Sequence, residues 1–98
     1  MRLAARTLCI DADLRQRHFV EVVPELVSLV AEHPLHERFY AQLMVALAGS
    51  GRRAEALATY RRARTILHEQ LAVEPGPELR RLESDLLAGQ PAALPDTP

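Results

Sequence analysis

Slid 34 residues along itself, the sequence meets residues of its own kind. Ile10 falls on Met44, Val22 on Ala56, Leu26 on Tyr60, Leu29 on Ala63 and Arg17 on Gly51. A period of this length fits one helix–turn–helix unit laid down repeatedly. A lone pair cannot bury its apolar side, so a neighbouring pair must cover it. Within each period apolar residues recur at spacings of three and four, and strict alternation never persists. That is the pattern of helices, not strands.

Five helices are predicted. The first, about residues 2–16, carries Leu3, Thr7, Ile10 and Leu14, with Asp11–Arg15 and Asp13–Arg17 as acid-to-base pairs four residues apart. The second presents Phe19, Val22 or Val23, Leu26, Leu29 and Val30. It either starts near Val23 with Pro24 in its first turn, or starts near His18 and kinks at Pro24; Pro34 ends it. The third follows Pro34, has Glu37 in its first turn, where the helix dipole favours an acid, and shows Phe39, Tyr40, Leu43, Met44 and Leu47. Gly49-Ser50-Gly51 stops it. The fourth, about 52–71, shows Ala56, Leu57, Tyr60, Ala63, Leu67 and Leu71. Pro77 opens a fifth, about 77–88, with Leu79, Leu82, Leu86 and Leu87, and Gly89 closes it. Residues 1–89 read as one domain. The remainder, 90–98, is aperiodic with prolines at 91, 95 and 98, and is expected to be a disordered tail.

The period is that of the tetratricopeptide repeat, and the second unit fits it better than the first. Tyr40 and Leu43 stand where the repeat wants an aromatic and a leucine, and Gly51 stands at the turn. Ala56, Tyr60 and Ala63 supply small, aromatic, small on the second helix. Alanine there lets antiparallel helices approach closely, and the aromatic fills the gap beside them. The expected fold is all-α: antiparallel helix pairs of the tetratricopeptide-like, α-α superhelix type.

Composition narrows the function classes. A hydrophobic content of 48% suffices for a core, and a single Cys excludes an intrachain disulfide or a four-thiolate zinc site. Twelve basic residues, all Arg, against thirteen acidic give a net charge of −1, which disfavours a strongly basic nucleic-acid binder. No apolar run approaches the roughly 18–20 residues of a membrane helix. Asp11 and Asp13 interrupt the first apolar stretch, which argues against a signal peptide, so a cytoplasmic location is expected.

No catalytic, cofactor-binding or metal-binding residue is expected. Cys9 reads as a small hydrophobe on the first helix. His33 and His36 straddle the break at Pro34, so their side chains need not converge. Asp11 and Asp13, two apart on a helix, point away from each other. Gly49-Ser50-Gly51 lacks the Lys and the preceding strand of a phosphate loop. The fourth helix gathers Arg52, Arg53, Arg61, Arg62 and Arg64 against Glu55 and Glu69. This reads as a solvated face, or as a patch for an acidic partner or nucleic acid, with Arg61 and Arg64 as the candidates.

Three segments carry a family resemblance. Leu29-Val30-Ala31-Glu32-His33-Pro34-Leu35-His36-Glu37-Arg38, Gly51-Arg52-Arg53-Ala54-Glu55-Ala56-Leu57-Ala58-Thr59-Tyr60-Arg61-Arg62-Ala63-Arg64 and Leu71-Ala72-Val73-Glu74-Pro75-Gly76-Pro77-Glu78-Leu79 resemble, in order and spacing, segments of the bacterial transcriptional activator domain. That domain occurs in regulators of the Streptomyces antibiotic regulatory protein type, behind a winged-helix DNA-binding domain. The resemblance covers about residues 3–90, and the winged helix and the domain's first helices would lie upstream of Met1. Arg17 stands where the family often has Gly, a turn Arg is expected to make with φ kept negative.

The resemblance implies a non-enzymatic protein-interaction and oligomerisation module of a transcriptional regulator. The alternatives are a general tetratricopeptide-like peptide-binding adaptor and a helical nucleic-acid binder acting through the Arg-rich fourth helix. Resemblance to the repeat places the partner surface on the first helix of each pair, at Thr7, Asp11, Leu14, Arg38, Ala41, Val45 and Ala48. The expected partner is a protein: a second copy, a DNA-binding regulator or the transcription machinery. No cofactor, membrane or specific DNA contact by this chain alone is expected. If the family's upstream helices are missing, Phe19, Val20 and Val23 are expected to be uncovered and to drive homo-oligomerisation.

Overall fold

The computed structural model describes residues 2–94. Its elements are α1 (Arg2–Arg15), α2 (Phe19–Glu32), α3 (Glu37–Gly49), α4 (Arg53–Leu71) and α5 (Pro77–Leu87), and there is no strand among the described residues. The all-α expectation of stacked helix pairs is borne out. The four apolar 34-residue equivalences also hold in burial: Ile10 and Met44, Val22 and Ala56, Leu26 and Tyr60, Leu29 and Ala63 are all core residues.

The two helices of each pair are joined by corners of one kind, and α5 ends in the same way. After α1, the Arg17 amide donates to the Leu14 carbonyl and the His18 amide to Asp13. After α3, Gly51 donates to Ala48 and Arg52 to Leu47; after α5, Gly89 donates to Leu86 and Gln90 to Asp85. These paired bonds satisfy the last carbonyls of each helix, and they need a left-handed residue just past its end. Gly51 and Gly89 have φ of 79° and 78°. Arg17 has φ of 65°, not the negative value expected of it. The repeat imposes the same corner where the sequence offers no glycine.

The second helix begins at Phe19 and runs through Pro24, so the alternative start at Val23 does not hold. Proline lacks the N–H that the Val20 carbonyl would accept. Val20 is exposed, so that carbonyl is not sealed in the core.

The core centres on α3, which packs against each of the other four helices. Its nine residues Phe39–Leu47 are all buried, so it has no polar face. The expected single face of Phe39, Tyr40, Leu43, Met44 and Leu47 is therefore half of the picture. The other half, Ala41, Gln42, Val45 and Ala46, lies under α1, α5 and the chain that follows α5. Glu37 Oε1 accepts from the Gly76 amide at 2.8 Å, tying the start of α3 to the loop that leads into α5.

After α5, Ala92 and Leu94 are half-buried and packed against the core, while Pro91 and Ala93 are exposed. Residues 95–98 of the expected tail lie outside the described residues.

Candidate interaction surface

The side of the stack made by α1, α3 and α5 is where the candidate partner residues were expected. Its centre is a polar tie, not a free surface. Arg38 on α3 reaches Asp11 on α1 through Nη2 (2.8 Å) and Glu78 on α5 through Nη1. The second Asp11 oxygen accepts from Gln42 Nε2 at 2.7 Å, and the same nitrogen donates to the Thr7 carbonyl at 2.9 Å. Gln42 is fully buried and its Oε1 has no partner among the described residues. Exchanging its oxygen and nitrogen would set the amide oxygen against both the Asp11 carboxylate and the Thr7 carbonyl, two acceptors, so the network fixes its orientation. The Thr7 hydroxyl donates to Leu3 within its own helix.

Several of the expected placements are corrected here. Asp11 does not pair with Arg15, because it turns inward to α3. Asp13 pairs with His18, at 3.4 Å, and not with Arg17, which has left the helix at the corner. Ala41 is wholly buried because α3 is covered on every side, and it is unavailable to a partner. Ala48 and Thr7 are half-buried. Asp11, Leu14 and Val45, though buried, border a cleft of about 360 Å³ together with Arg38 and Phe19, and Pro91–Leu94 form its remaining wall. Gln42, Glu37 and Glu78 were missed as determinants of this region. The signal for Gln42 was present: it is the one amide in the uncharged run from Phe39 to Gly51.

The other candidates take up structural or exposed positions. His33 and His36 converge after all, both against Phe39, with ring centroids at 6.0 and 4.1 Å. Cys9 is exposed instead of acting as core filler. Among the described residues no group of three or more His, Cys, Asp or Glu is arranged to hold a metal ion. No helix of the described residues is long and apolar enough to cross a membrane.

Of the expected uncovered apolar trio, Val23 is buried and Phe19 is half-buried, packed over Gly49; Val20 alone is exposed. Leu8 and Val27 are exposed instead, on α1 and α2.

The arginines of α4 are outward and partly engaged. Arg52 forms a two-pronged contact with Glu55, 2.7 Å on each prong, which raises the guanidinium pKa and lowers that of the carboxyl. Arg53 donates to the Leu86 carbonyl, and Arg64 faces Glu74 at 3.4 Å. Arg61 and Arg64 line a shallow groove with His68, Glu69 and Glu74. The opposite side of the helix buries Ala56, Tyr60, Ala63 and Leu67, as the repeat requires.

The chain is similar to known regulators along nearly all its length. The family described as bacterial transcriptional activator domain matches residues 1–87. The regulatory protein AfsR of Streptomyces coelicolor is 47% identical over 83 residues, 85% of this chain but 8% of AfsR. The regulatory protein DnrI of Streptomyces peucetius is 38% identical over 90 residues, 92% of this chain and 33% of DnrI. The solved structure of Mycobacterium tuberculosis EmbR, in complex with a low affinity phosphopeptide, superimposes with a TM-score of 0.89 at 37% identity, covering 91% of this chain and 24% of that one. The chain thus spans a third or less of these proteins. On a matched family, close relatives and a shared helix stack, the chain belongs to the bacterial transcriptional activator domain family, of the Streptomyces antibiotic regulatory protein type.

Proposed function

We propose that residues 1–89 are the protein-interaction module of a bacterial transcriptional regulator, working in the cytoplasm by contact with other proteins and with a second copy of itself. The family is a non-catalytic one. The observation that carries the reading is the use made of the polar groups at the centre of the stack: Asp11, Arg38, Gln42 and Glu78 bind one another and join three helices, leaving a shape and not a reactive group. Self-association is supported by the exposed Leu8 and Val27 on the first helix pair. Arg61 and Arg64 offer a second, charged contact region.

Specific DNA recognition is not part of the role. Base readout needs an element shaped for the major groove, and the Arg-rich α4 is committed on its other side to the core. Its arginines can contact phosphates, which gives salt-sensitive binding without sequence preference. Sedimentation equilibrium between about 1 and 100 μM is expected to show mass rising with concentration, and monomer throughout removes the self-association. Mobility-shift titrations over about 50–200 mM salt are expected to show equal, salt-labile retardation of operator-like and scrambled duplexes. Discrimination that survives the higher salt defeats the reading.

A further inference from the structure

Grooves on the described surface differ in the charge left over at each. Between α1 and α2, beside Leu3, Cys9 and Leu29, Arg6 is matched by Glu25 at 3.1 Å. On α4, the groove of Arg61, Arg64 and His68 also holds Glu69 and Glu74. The cleft of about 360 Å³ at the end of α1 is different. Arg38 in its wall is matched by Asp11 and Glu78, whereas Arg15 and Arg17 line it too, are exposed, and form no ion pair among the described residues. Three arginines thus stand against two acids, and one positive charge is in excess. The rest of the lining is apolar: Leu14 and Val45 are buried, and Phe19, Ala92 and Leu94 are half-buried. An apolar cavity of this size with a few placed polar groups suits a small organic ligand.

The free cations are also positioned in advance. Arg17 has φ of 65° at a corner that Gly51 and Gly89 make elsewhere, a conformation unfavourable for a residue with a side chain. Its guanidinium lies 5.3 Å from the centroid of the Phe19 ring, which is itself part of the cleft wall. A cation held at the cleft before a ligand arrives lowers the ordering cost of binding it.

We propose that this cleft is a binding site for a small aliphatic monocarboxylate. Its head meets Arg15 and Arg17, and its chain lies on Leu14, Val45 and Leu94. One excess positive charge matches a single negative one, so a carboxylate suits the cleft better than a dianionic phosphate. Arginine also pairs with carboxylate in a planar, two-pronged geometry. An aliphatic body is favoured because Arg17 already lies over the one aromatic ring of the lining. Such a ligand touches α1, α3 and the chain after α5 together, so it raises the thermal midpoint as its concentration rises. This goes beyond the interaction-module reading and does not rest on it.

The test titrates the isotope-labelled full chain with sodium octanoate at about pH 7, where the carboxylate is ionised, and at low salt. Amide shifts are followed by two-dimensional NMR. Saturable shifts are expected around Leu14, Phe19, Val45 and Leu94, with a Kd of about 0.1–1 mM. Octanamide has the same chain without the charge and is expected to bind about tenfold more weakly, the scale of a hydrogen bond to a charged group. Inorganic phosphate is expected not to displace octanoate. The Arg15→Gln/Arg17→Gln chain, shown to be folded by unchanged circular dichroism, is expected to bind octanoate as weakly as octanamide while its octanamide affinity stays the same. The comparison of octanoate with octanamide uses the unaltered chain and stands whatever the variant does. Equal affinity for the two, displacement of octanoate by phosphate, or shifts gathered at Leu8 and Val27 instead of the cleft overturns the proposal. Absence of any saturable shift up to about 10 mM overturns it as well and leaves the interaction module standing, because sedimentation tests that reading separately.

Discussion

At Gly49, helix propensity and packing pull in opposite directions. Alanine is the better helix former by about 0.8–1 kcal/mol, but a Cβ there would lie 2.4 Å from Phe19 Cδ2 and 2.5 Å from Cγ. That is the root of the ring, which cannot swing away without moving the start of α2. Gly49→Ala is therefore expected to lower stability by about 1–2 kcal/mol, the overpacking cost exceeding the propensity gain, seen as a fall in the urea midpoint. Ala72 is the reverse case. It sits at φ 56° after α4, where a side chain is unfavourable. Ala72→Gly is expected to raise stability by about 0.5–1 kcal/mol, since relief of the left-handed strain outweighs the added freedom of the unfolded chain. Arg17→Gly is expected to change little despite the same backbone, because it also loses the guanidinium lying 5.3 Å from the Phe19 ring centroid. The tyrosines set an alkaline limit. Burial, opposed in part by Arg62, raises the Tyr40 pKa above its ordinary 10.0, and its hydroxyl donates to the Pro34 carbonyl at 2.8 Å. Burial likewise raises Tyr60, with Glu83 and Glu74 adding to the effect. A phenol with a raised folded pKa contributes its full stability below about pH 10 and loses it as pH climbs from there toward the folded value. Urea midpoints are expected to be flat from pH 8 to 9.5 and to fall above about pH 10, and Tyr60→Phe is expected to flatten that fall.

At the scale of the elements, what sequence periodicity can report is a helix with one dry side. It located all five helices, and it located the small residues of α4: Ala56 and Ala63 are fully buried where the repeat puts them. Ala63→Leu is accordingly expected to cost about 1–3 kcal/mol by overpacking, and an unchanged urea midpoint would mean that the α3–α4 pairing is wrong. The same reasoning fails for α3, because a helix buried all round has no period to detect. Its mark is instead the lack of any charge from Phe39 to Gly51; resemblance to the repeat put Ala41 and Val45 on a partner surface, and both are buried. The ion pairs were misplaced for a related reason. Spacing along one helix predicts Asp11–Arg15, while the partner chosen, Arg38, is distant in sequence and appears only once α1 lies on α3. The turn at Arg17 was legible as a corner, since the repeat aligns it with Gly51, but residue preference hid its positive φ. The packing of Ala92 and Leu94 left no mark in the aperiodic sequence after Gly89, because it depends on side chains from α1, α2 and α3.

Across the whole molecule, Asp11 is the point where α1 is fastened to the rest. Asp11→Ala leaves Arg38 with Glu78 alone and removes an acceptor from the buried Gln42. Because Arg38 keeps some exposure to water, the expected loss is about 2–3 kcal/mol, below that for a fully buried pair. Hydrogen exchange is expected to speed up in α1 before α3 and α4, since the tie belongs to α1 while the other helices keep their apolar contacts. Equal acceleration in all five helices would show that the stack opens as one unit. The centrality of α3 has a further consequence for how the chain is made. A ribosome delivers α3 before α4 and α5, so the least charged helix emerges while half of its cover is still unsynthesised. From Leu47 to Leu86 about 40 residues remain to be added, roughly 2–8 s at ordinary translation speeds. For that interval a nascent chain shows the surface that holds the finished stack together, and crowding between neighbouring polysomal chains, not the stability of the folded protein, sets its hazard of aggregation.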